Sequence, residues 1–207
     1  MLHRFYQVAD DFYPNPERIR RKALQLTYAH PEELIGWRTK AYHPEGIKQL
    51  IEKRFRVRIT YWEKDRTATD ATNGVFMTAF SRGKRAETVG VHYDTPVNWM
   101  MFIVYLTPNA PRDCGTSFWM HRKTGLVCRP TIKDVKRLGL SFTQLETMFE
   151  EDSQVRSRWK ELDRVANIFN RGVMFPSGLF HSATRHFGNN HANGRLYQTF
   201  HFPIRSR

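Results

Sequence analysis

Apolar residues recur at helical spacing in two stretches near the start of the chain. The first predicted helix covers residues 15–27, where Asn15 is suited to cap it and Pro16 and Glu17 fit its first turn. Its apolar stripe comprises Ile19, Ala23, Leu24 and Leu26. A second short helix is predicted over residues 45–55, with Ile47, Leu50, Ile51 and Phe55 on one face.

Beyond Asn73 and Gly74 the pattern changes to short β-rich segments bounded by Gly, Pro, Asn or charged residues. The segments are "VFMTAF", "TVGVHYD", "WMMFIVYLT", "GTSFWMH" and, further on, "GVMFP", "LFHSAT" and "RLYQTFHF". Between "GTSFWMH" and "GVMFP" we predict a helical insert, which begins with a short helix over residues 143–150. A longer helix follows, capped by Asp152 or Ser153, with its apolar face on Val155, Trp159, Leu162, Ala166 and Phe169.

This order of elements predicts a mainly β fold with flanking helices. A jelly roll is the commonest small architecture of that kind able to hold a ligand between its sheets. We expect one domain over residues 1–207, with a mostly helical N-terminal support over 1–72. The jelly-roll core then covers 73–207, with the helical insert at about 131–169.

The formal net charge of +13 predicts that the protein attracts anions. Nucleic acid, an acidic peptide or a small carboxylate all satisfy that charge. The basic residues are scattered, and no zinc-finger spacing or RNA-recognition motif accompanies them, so a solvated basic face is the favoured interpretation. Charge alone leaves nucleic acid open as a partner, and the oligomeric state is not indicated.

The length of the apolar segments indicates whether the chain can cross a membrane. The longest, residues 99–106, is eight residues, far below the roughly 20 needed to cross a bilayer. We therefore expect no membrane partner. The charged N-terminal segment does not resemble a signal peptide, so a cytoplasmic location is expected. Cys114 and Cys128 are then interpreted as ordinary thiols.

Candidate chemistry begins with His92 and Asp94, one residue apart ahead of the most apolar run. On a strand, side chains at this spacing point to the same side, and imidazole with carboxylate suits a divalent transition metal. A third ligand is needed. His181 is favoured because it lies in an apolar strand-like run, whereas His186, its rival, lies in a polar loop. The remaining histidines are His3, His30, His43, His121, His191 and His201.

Two histidines and a carboxylate form the facial triad of non-haem iron oxygenases. The motifs H-x-D, "FIVYLTP", "DCGTSFWMH", "FPSGLFHS" and "NGRLYQTFHF" follow one another over residues 75–202. In this order they resemble the Fe(II)- and 2-oxoglutarate-dependent dioxygenases, closest to the small bacterial members of the prolyl-hydroxylase-like branch.

The resemblance implies a double-stranded β-helix, which is a jelly roll. It implies His92, Asp94 and His181 as iron ligands and Arg195 as the partner of the distal carboxylate of 2-oxoglutarate. Tyr105 and Thr199 are implied as helpers. The interval from His181 to Arg195 is long for the family, which leaves Arg185 as the alternative arginine. Residues expected near the cavity mouth, as substrate contacts, are Trp99, Trp119, Arg82, Arg122 and Asn98.

The implied activity is hydroxylation of an unactivated C–H bond of an amino acid, peptide or protein side chain, with a substrate of anionic character. The implied cofactors are Fe(II), 2-oxoglutarate as co-substrate and O₂, with ascorbate in a supporting role. Two alternatives stay open: a nucleic-acid-modifying oxygenase of the same class, and a non-catalytic basic jelly-roll binding module.

Overall fold

The computed structural model of the chain describes residues 6–31, 35–64, 73–83 and 86–206. Its helices are α1 (Pro16–Gln25), α2 (Ile47–Phe55), α3 (Ile132–Leu138) and α4 (Phe142–Asp152), with a 3₁₀ turn at Arg156–Arg158. Its strands are β1 (Gln7–Ala9), β2 (Trp37–Arg38), β3 (Val57–Ile59), β4 (Val75–Ala79), β5 (Met100–Tyr105), β6 (Thr116–His121), β7 (Trp159–Val165), β8 (Gly172–Pro176), β9 (His181–Ala183), β10 (Arg195–Phe202) and β11 (Ile204–Ser206).

Two antiparallel sheets form the core of the fold. The large sheet has the order β1-β8-β5-β10-β4-β2, and the small sheet has the order β7-β6-β9. Strands β3 and β11 make a separate antiparallel pair. The inner faces of the two sheets meet in an apolar cluster in which Phe118 of β6 packs edge-on against Phe175 of β8 at 5.3 Å. The predicted jelly roll is confirmed.

Helices cover the outer faces of both sheets. Ile19 and Ala23 of α1 and Ile51 of α2 pack with Phe102 and Phe200 of the large sheet, in a cluster with almost no solvent exposure. On the other side, α4 packs on the small sheet through Leu145 and Phe149. Helices thus cover both outer faces, and a cavity lies between the two sheets.

The helix starts follow the local sequence. The Asn15 side chain accepts a hydrogen bond from the Arg18 amide at 3.2 Å, and Pro16 is the first residue of α1, as predicted. Both α3 and α4 begin with capping boxes, Thr131 with Asp134 and Ser141 with Gln144, which satisfy otherwise unpaired amides.

Two predictions about the helical insert are wrong. Residues 159–165 are strand β7, not helix, and Ser153 ends α4 instead of starting a helix. The apolar residues of this segment recur at helical spacing, but its backbone forms hydrogen bonds with β6, a strand far away in the sequence. The helical insert therefore ends with the 3₁₀ turn.

The N-terminal part is less helical than predicted. Within its described residues only α1 and α2 are α-helices, whereas β1 and β2 are edge strands of the large sheet. The segment "TVGVHYD" is not a regular strand either and makes a single isolated bridge between His92 and His181. These short strands form because an existing sheet edge offers backbone partners, which local sequence does not reveal.

Within the described residues, no helix is long and apolar enough to cross a membrane.

Candidate metal centre

A backbone bridge brings the two histidines of the predicted triad together. The His92 amide donates to the His181 carbonyl at 3.0 Å, and the His181 amide donates to the His92 carbonyl at 2.8 Å. The ring centroids are consequently 4.5 Å apart. Asp94 is held by its own amide, which donates to the Ser177 carbonyl at 2.8 Å. A segment without regular strand structure thus holds both members of H-x-D at the same place.

The side chains of His92, Asp94 and His181 converge on one point. One donor atom from each lies within 4.8 Å of the others. A carboxylate oxygen of Asp94 is 3.3 Å from Nε2 of His181 and the other is 3.9 Å from Nε2 of His92. Donors bound at about 2.1 Å in cis positions are roughly 3 Å apart, so metal binding would draw the three donor atoms closer together.

Hydrogen bonds on the far side of each ring select the tautomer that a metal requires. Nδ1 of His92 is 3.0 Å from the Gly90 carbonyl, and Nδ1 of His181 is 2.9 Å from the Leu179 carbonyl. Because a carbonyl only accepts, each Nδ1 carries a proton, so Nε2 is the ring nitrogen left for a metal, which displaces any proton that Nε2 carries. Two imidazole lone pairs and one carboxylate fit an Fe(II) site with open positions.

Asp94 is ionised in this environment. Burial raises the pKa of Asp94, but the charge and hydrogen bond of His181 outweigh burial, so the net shift is well below the usual range. The carboxylate is available as a ligand without loss of a proton. The His92 side chain is 51% exposed while that of His181 is 9% exposed, so the open side of the group faces solvent at His92.

The triad opens into a cavity of about 390 Å³ between the sheets. Its walls are mainly apolar, with Met77, Met101, Ile103 and Phe175 from the large sheet. The small sheet contributes Thr116, and Asp94 is the sole acid among the described residues of the lining. A largely apolar pocket with a few converging polar groups is the usual form of a small-molecule site.

Arg195 opens β10, lines the cavity and is only 4% exposed. Its guanidinium donates to the carbonyls of Cys114 and Gly115 at 3.3 and 3.2 Å and to Thr116 Oγ1 at 3.3 Å. It also packs over the Tyr197 ring at 4.4 Å. All these partners are neutral, so the positive charge of Arg195 is left for a bound anion.

The alternative arginine lies elsewhere. The Arg185 side chain is 60% exposed and is paired with Asp113 at 2.6 Å, and it is absent from the cavity lining. The structure therefore favours Arg195 over Arg185 as the residue facing a cavity ligand.

The two predicted helpers differ in their access to the cavity. Thr199 lines it, two residues along β10 from Tyr197, and its hydroxyl donates to the Met101 sulfur at 3.0 Å. Tyr105 is fully buried behind the wall, with its hydroxyl 2.7 Å from that of Thr116. Burial raises the pKa of Tyr105, which therefore stays protonated. Its contact with the cavity runs through Thr116.

The five predicted substrate contacts do not reach the cavity. Trp119 is buried on the outer face of the small sheet, in the cluster with α4, because it alternates with the inward-facing Phe118. Trp99 packs against His201 at 5.0 Å. Residues Arg82, Arg122 and Asn98 are exposed, and none of the five lines the cavity.

Two charged or ionisable lining residues, His186 and Arg38, are not predicted as cavity contacts by the sequence. His186, the rival of His181 in the sequence analysis, lines the cavity, and its Nε2 is 3.2 Å from the Thr88 carbonyl. Burial and the nearby charge of Arg195 lower the pKa of His186 to about 4, so its ring is neutral. Arg38 lines the cavity from edge strand β2, which is only two residues long. No local pattern indicates either residue.

Solved structures with a similar fold support the jelly-roll architecture. HygX from Streptomyces hygroscopicus, with nickel, 2-oxoglutarate and hygromycin B bound, is similar at a TM-score of 0.58 and 13% identity, over 96% of this chain and 82% of HygX. HygX with iron bound gives a TM-score of 0.53 at the same identity and coverage. The chain thus has the jelly-roll fold of a protein that binds iron and 2-oxoglutarate.

The chain belongs to DUF6445, a family of unknown function whose model matches residues 4–202. No curated protein matches it. A prolyl-4-hydroxylase from Pseudomonas putida aligns at 13% identity over 98% of this chain and 93% of that enzyme. Its TM-score of 0.40 is too low to carry an argument, so the narrower prolyl-hydroxylase-like placement stays a prediction.

Proposed function

We propose that this protein is a non-haem Fe(II)- and 2-oxoglutarate-dependent oxygenase that hydroxylates an unactivated C–H bond of an amino acid, peptide or protein side chain. The observation that carries the proposal is the convergence of His92, Asp94 and His181, with both histidine tautomers fixed, at one end of a cavity that also contains Arg195. The fold shared with HygX, which binds iron and 2-oxoglutarate, supports it.

In this proposal His92, Asp94 and His181 hold Fe(II). The metal with 2-oxoglutarate, when bound, supplies the O₂ chemistry that converts C–H to C–OH. The three side chains of His92, Asp94 and His181 would hold the metal from one side and leave its other side open to the cavity. Asp94, ionised already, neutralises part of the metal charge.

The rest of the cavity positions the organic ligands. Arg195, held rigid by Cys114, Gly115 and Thr116, pairs with the distal carboxylate of 2-oxoglutarate. Tyr105 holds Thr116 in place from behind, and Thr199 borders the same space. The apolar wall excludes water from the reacting C–H bond and leaves space for a small substrate.

The substrate is a small molecule or an exposed peptide side chain. HygX, which has this fold, has hygromycin B bound, and this supports a small-molecule ligand. No described feature favours a nucleic acid over these, because the basic residues predicted as mouth contacts, Arg82 and Arg122, lie away from the cavity. A cytoplasmic location remains part of the proposal.

Ligand-induced stabilisation of metal-free protein tests the site without knowledge of the substrate. Mn(II) with 2-oxoglutarate is expected to raise the melting temperature more than either alone, since ligands that bind only the folded state stabilise it. Asp94→Ala should abolish the joint effect, and Asp163→Asn, a change at an exposed carboxylate, should retain it. Absence of the joint shift in the wild type would instead support a non-catalytic binding module.

Turnover is tested by succinate formation with Fe(II), ascorbate and candidate amino acids or peptides. His92→Ala and Asp94→Ala should abolish succinate formation, and full activity in both would contradict the proposed ligands.

A further inference from the structure

We infer that Arg38, on edge strand β2, binds a carboxylate of the primary substrate, so that the enzyme acts on a carboxylate-bearing small molecule or peptide. This inference rests on the proposed function and names the substrate class for the same site.

The position of Arg38 separates it from the co-substrate end of the cavity. Arg38 is paired with Met77 of β4, and Met77 is paired with Tyr197 of β10, so the three form a row across the large sheet. All three line the cavity. Strands are about 4.8 Å apart, which places the backbone of Arg38 roughly 10 Å from that of Tyr197. Arg195 packs on the opposite end of this row, over Tyr197.

The cavity wall beside Arg38 is more exposed than the wall at Arg195. Ile35, which lines the cavity with Arg38, is 43% exposed, whereas Arg195 is 4% exposed. A substrate that enters after the co-substrate meets Arg38 first. Arg195, deeper and fixed by neutral acceptors, suits the anion that binds earlier.

Within the part of the chain that the structure describes, the Arg38 guanidinium has no counter-charge. Its Nε is buried without a hydrogen-bond partner, and among the described residues Arg38 forms no ion pair. Burial also lowers the pKa of Arg38. Guanidinium groups do not lose their proton in proteins, so this charge persists. A partly buried charge without a partner is unfavourable until an anion joins it.

The charges of the loaded site identify the missing anion. Asp94 and the two carboxylates of 2-oxoglutarate are balanced by Fe(II) and Arg195. His186 is neutral, since its pKa is lowered to about 4. Of the two arginines in the described lining, Arg38 then remains without a balancing charge, and one carboxylate matches its single charge and its two-pronged donor geometry.

The test uses benzoate as the carboxylate probe and benzamide as its neutral isostere. Protein is loaded with Mn(II) and N-oxalylglycine, so that the metal and co-substrate positions are filled. Paramagnetic broadening of the probe's proton resonances by Mn(II) then reports binding near the metal. We expect broadening of benzoate, not of benzamide, with an effect at least fivefold smaller in Arg38→Gln and partly restored in Arg38→Lys. Arg82→Gln removes the same charge from an exposed arginine outside the cavity and should match the wild type.

Several outcomes would overturn the inference. These are equal broadening by benzamide, no broadening by benzoate in the wild type, or undiminished broadening in Arg38→Gln. A tenfold loss of N-oxalylglycine affinity in Arg38→Gln would assign Arg38 to the co-substrate instead. If Arg38→Gln does not fold, the benzoate-to-benzamide comparison in the wild type and Arg38→Lys decides. Failure of the wild type to bind Mn(II) and N-oxalylglycine together would refute the proposed function itself.

Discussion

Replacement of Arg195 by Gln tests the co-substrate end of the cavity most directly. Arg195 is 4% exposed, its acceptors are neutral and lie at 3.2–3.3 Å, and no described residue forms an ion pair with it. A carboxylate bound there meets an uncompensated, desolvated charge. Removing one partner of such a pair costs about 2–5 kcal/mol. Taking about 3 kcal/mol, the dissociation constant for 2-oxoglutarate rises roughly 100-fold.

The assay is titration of 2-oxoglutarate into Mn(II)-loaded protein by calorimetry. The ligand-free melting temperature should change by only about 4 °C, because the lost hydrogen bonds are long and the lost charge was unpaired. Arg185→Gln is the matched control, since the Arg185 side chain is exposed and lies outside the cavity, and it should shift affinity by less than about twofold. Equal affinity in wild type and Arg195→Gln, or a larger loss in Arg185→Gln, would refute the assignment.

Three further changes test the surroundings of the site. Tyr105→Phe removes the hydrogen bond to Thr116 and should lower the free energy of unfolding by about 1 kcal/mol, with less than a tenfold loss of 2-oxoglutarate affinity; a larger affinity loss would indicate direct contact. The pKa of His186 is lowered to about 4 when folded against about 6.5 unfolded, so wild-type stability falls as pH drops through that window. His186→Asn should lose less stability between pH 7 and pH 5 in denaturant titrations, and an equal loss would contradict the buried neutral ring. Gly115→Ala places a Cβ 1.8 Å from the Val165 carbonyl and should destabilise by about 3 kcal/mol, whereas Gly125→Ala, with no atom within 4 Å, should cost about 1 kcal/mol in the same titrations. Similar losses in the two glycine variants would contradict the close approach of β6 and β7.

The sequence predicted the central strands well, because their signal is local. Strands β4, β5, β6, β8 and β10 coincide with the β-rich segments, and α1 begins at the predicted Asn15 cap. Alternation and capping act within a few residues, so one chain suffices to detect them. The apolar spacing of β7 predicts a helix, but the segment is a strand because it pairs with β6, about forty residues earlier, and local sequence does not show that pairing.

The prediction of substrate contacts failed for a related reason. Trp119 is on a correctly predicted strand but faces α4, and the face of a strand depends on which sheet it joins. Arg82, Arg122 and Asn98, which the sequence places near the cavity mouth, are exposed and lie outside the cavity. Nearness along the chain does not fix where an exposed loop points.

By itself the sequence determined the residue types and order of the candidate metal site, since H-x-D, a later apolar histidine and an arginine that opens a strand can be recognised one by one. Only the tertiary structure decided that His92 and His181 share a backbone bridge, that Arg195 and not Arg185 faces the cavity, and that Arg38 and His186 line it. These facts depend on pairings between strands far apart in the sequence. Such pairings are selected by burial of both sheet faces together, a property of the whole fold and not of any local segment.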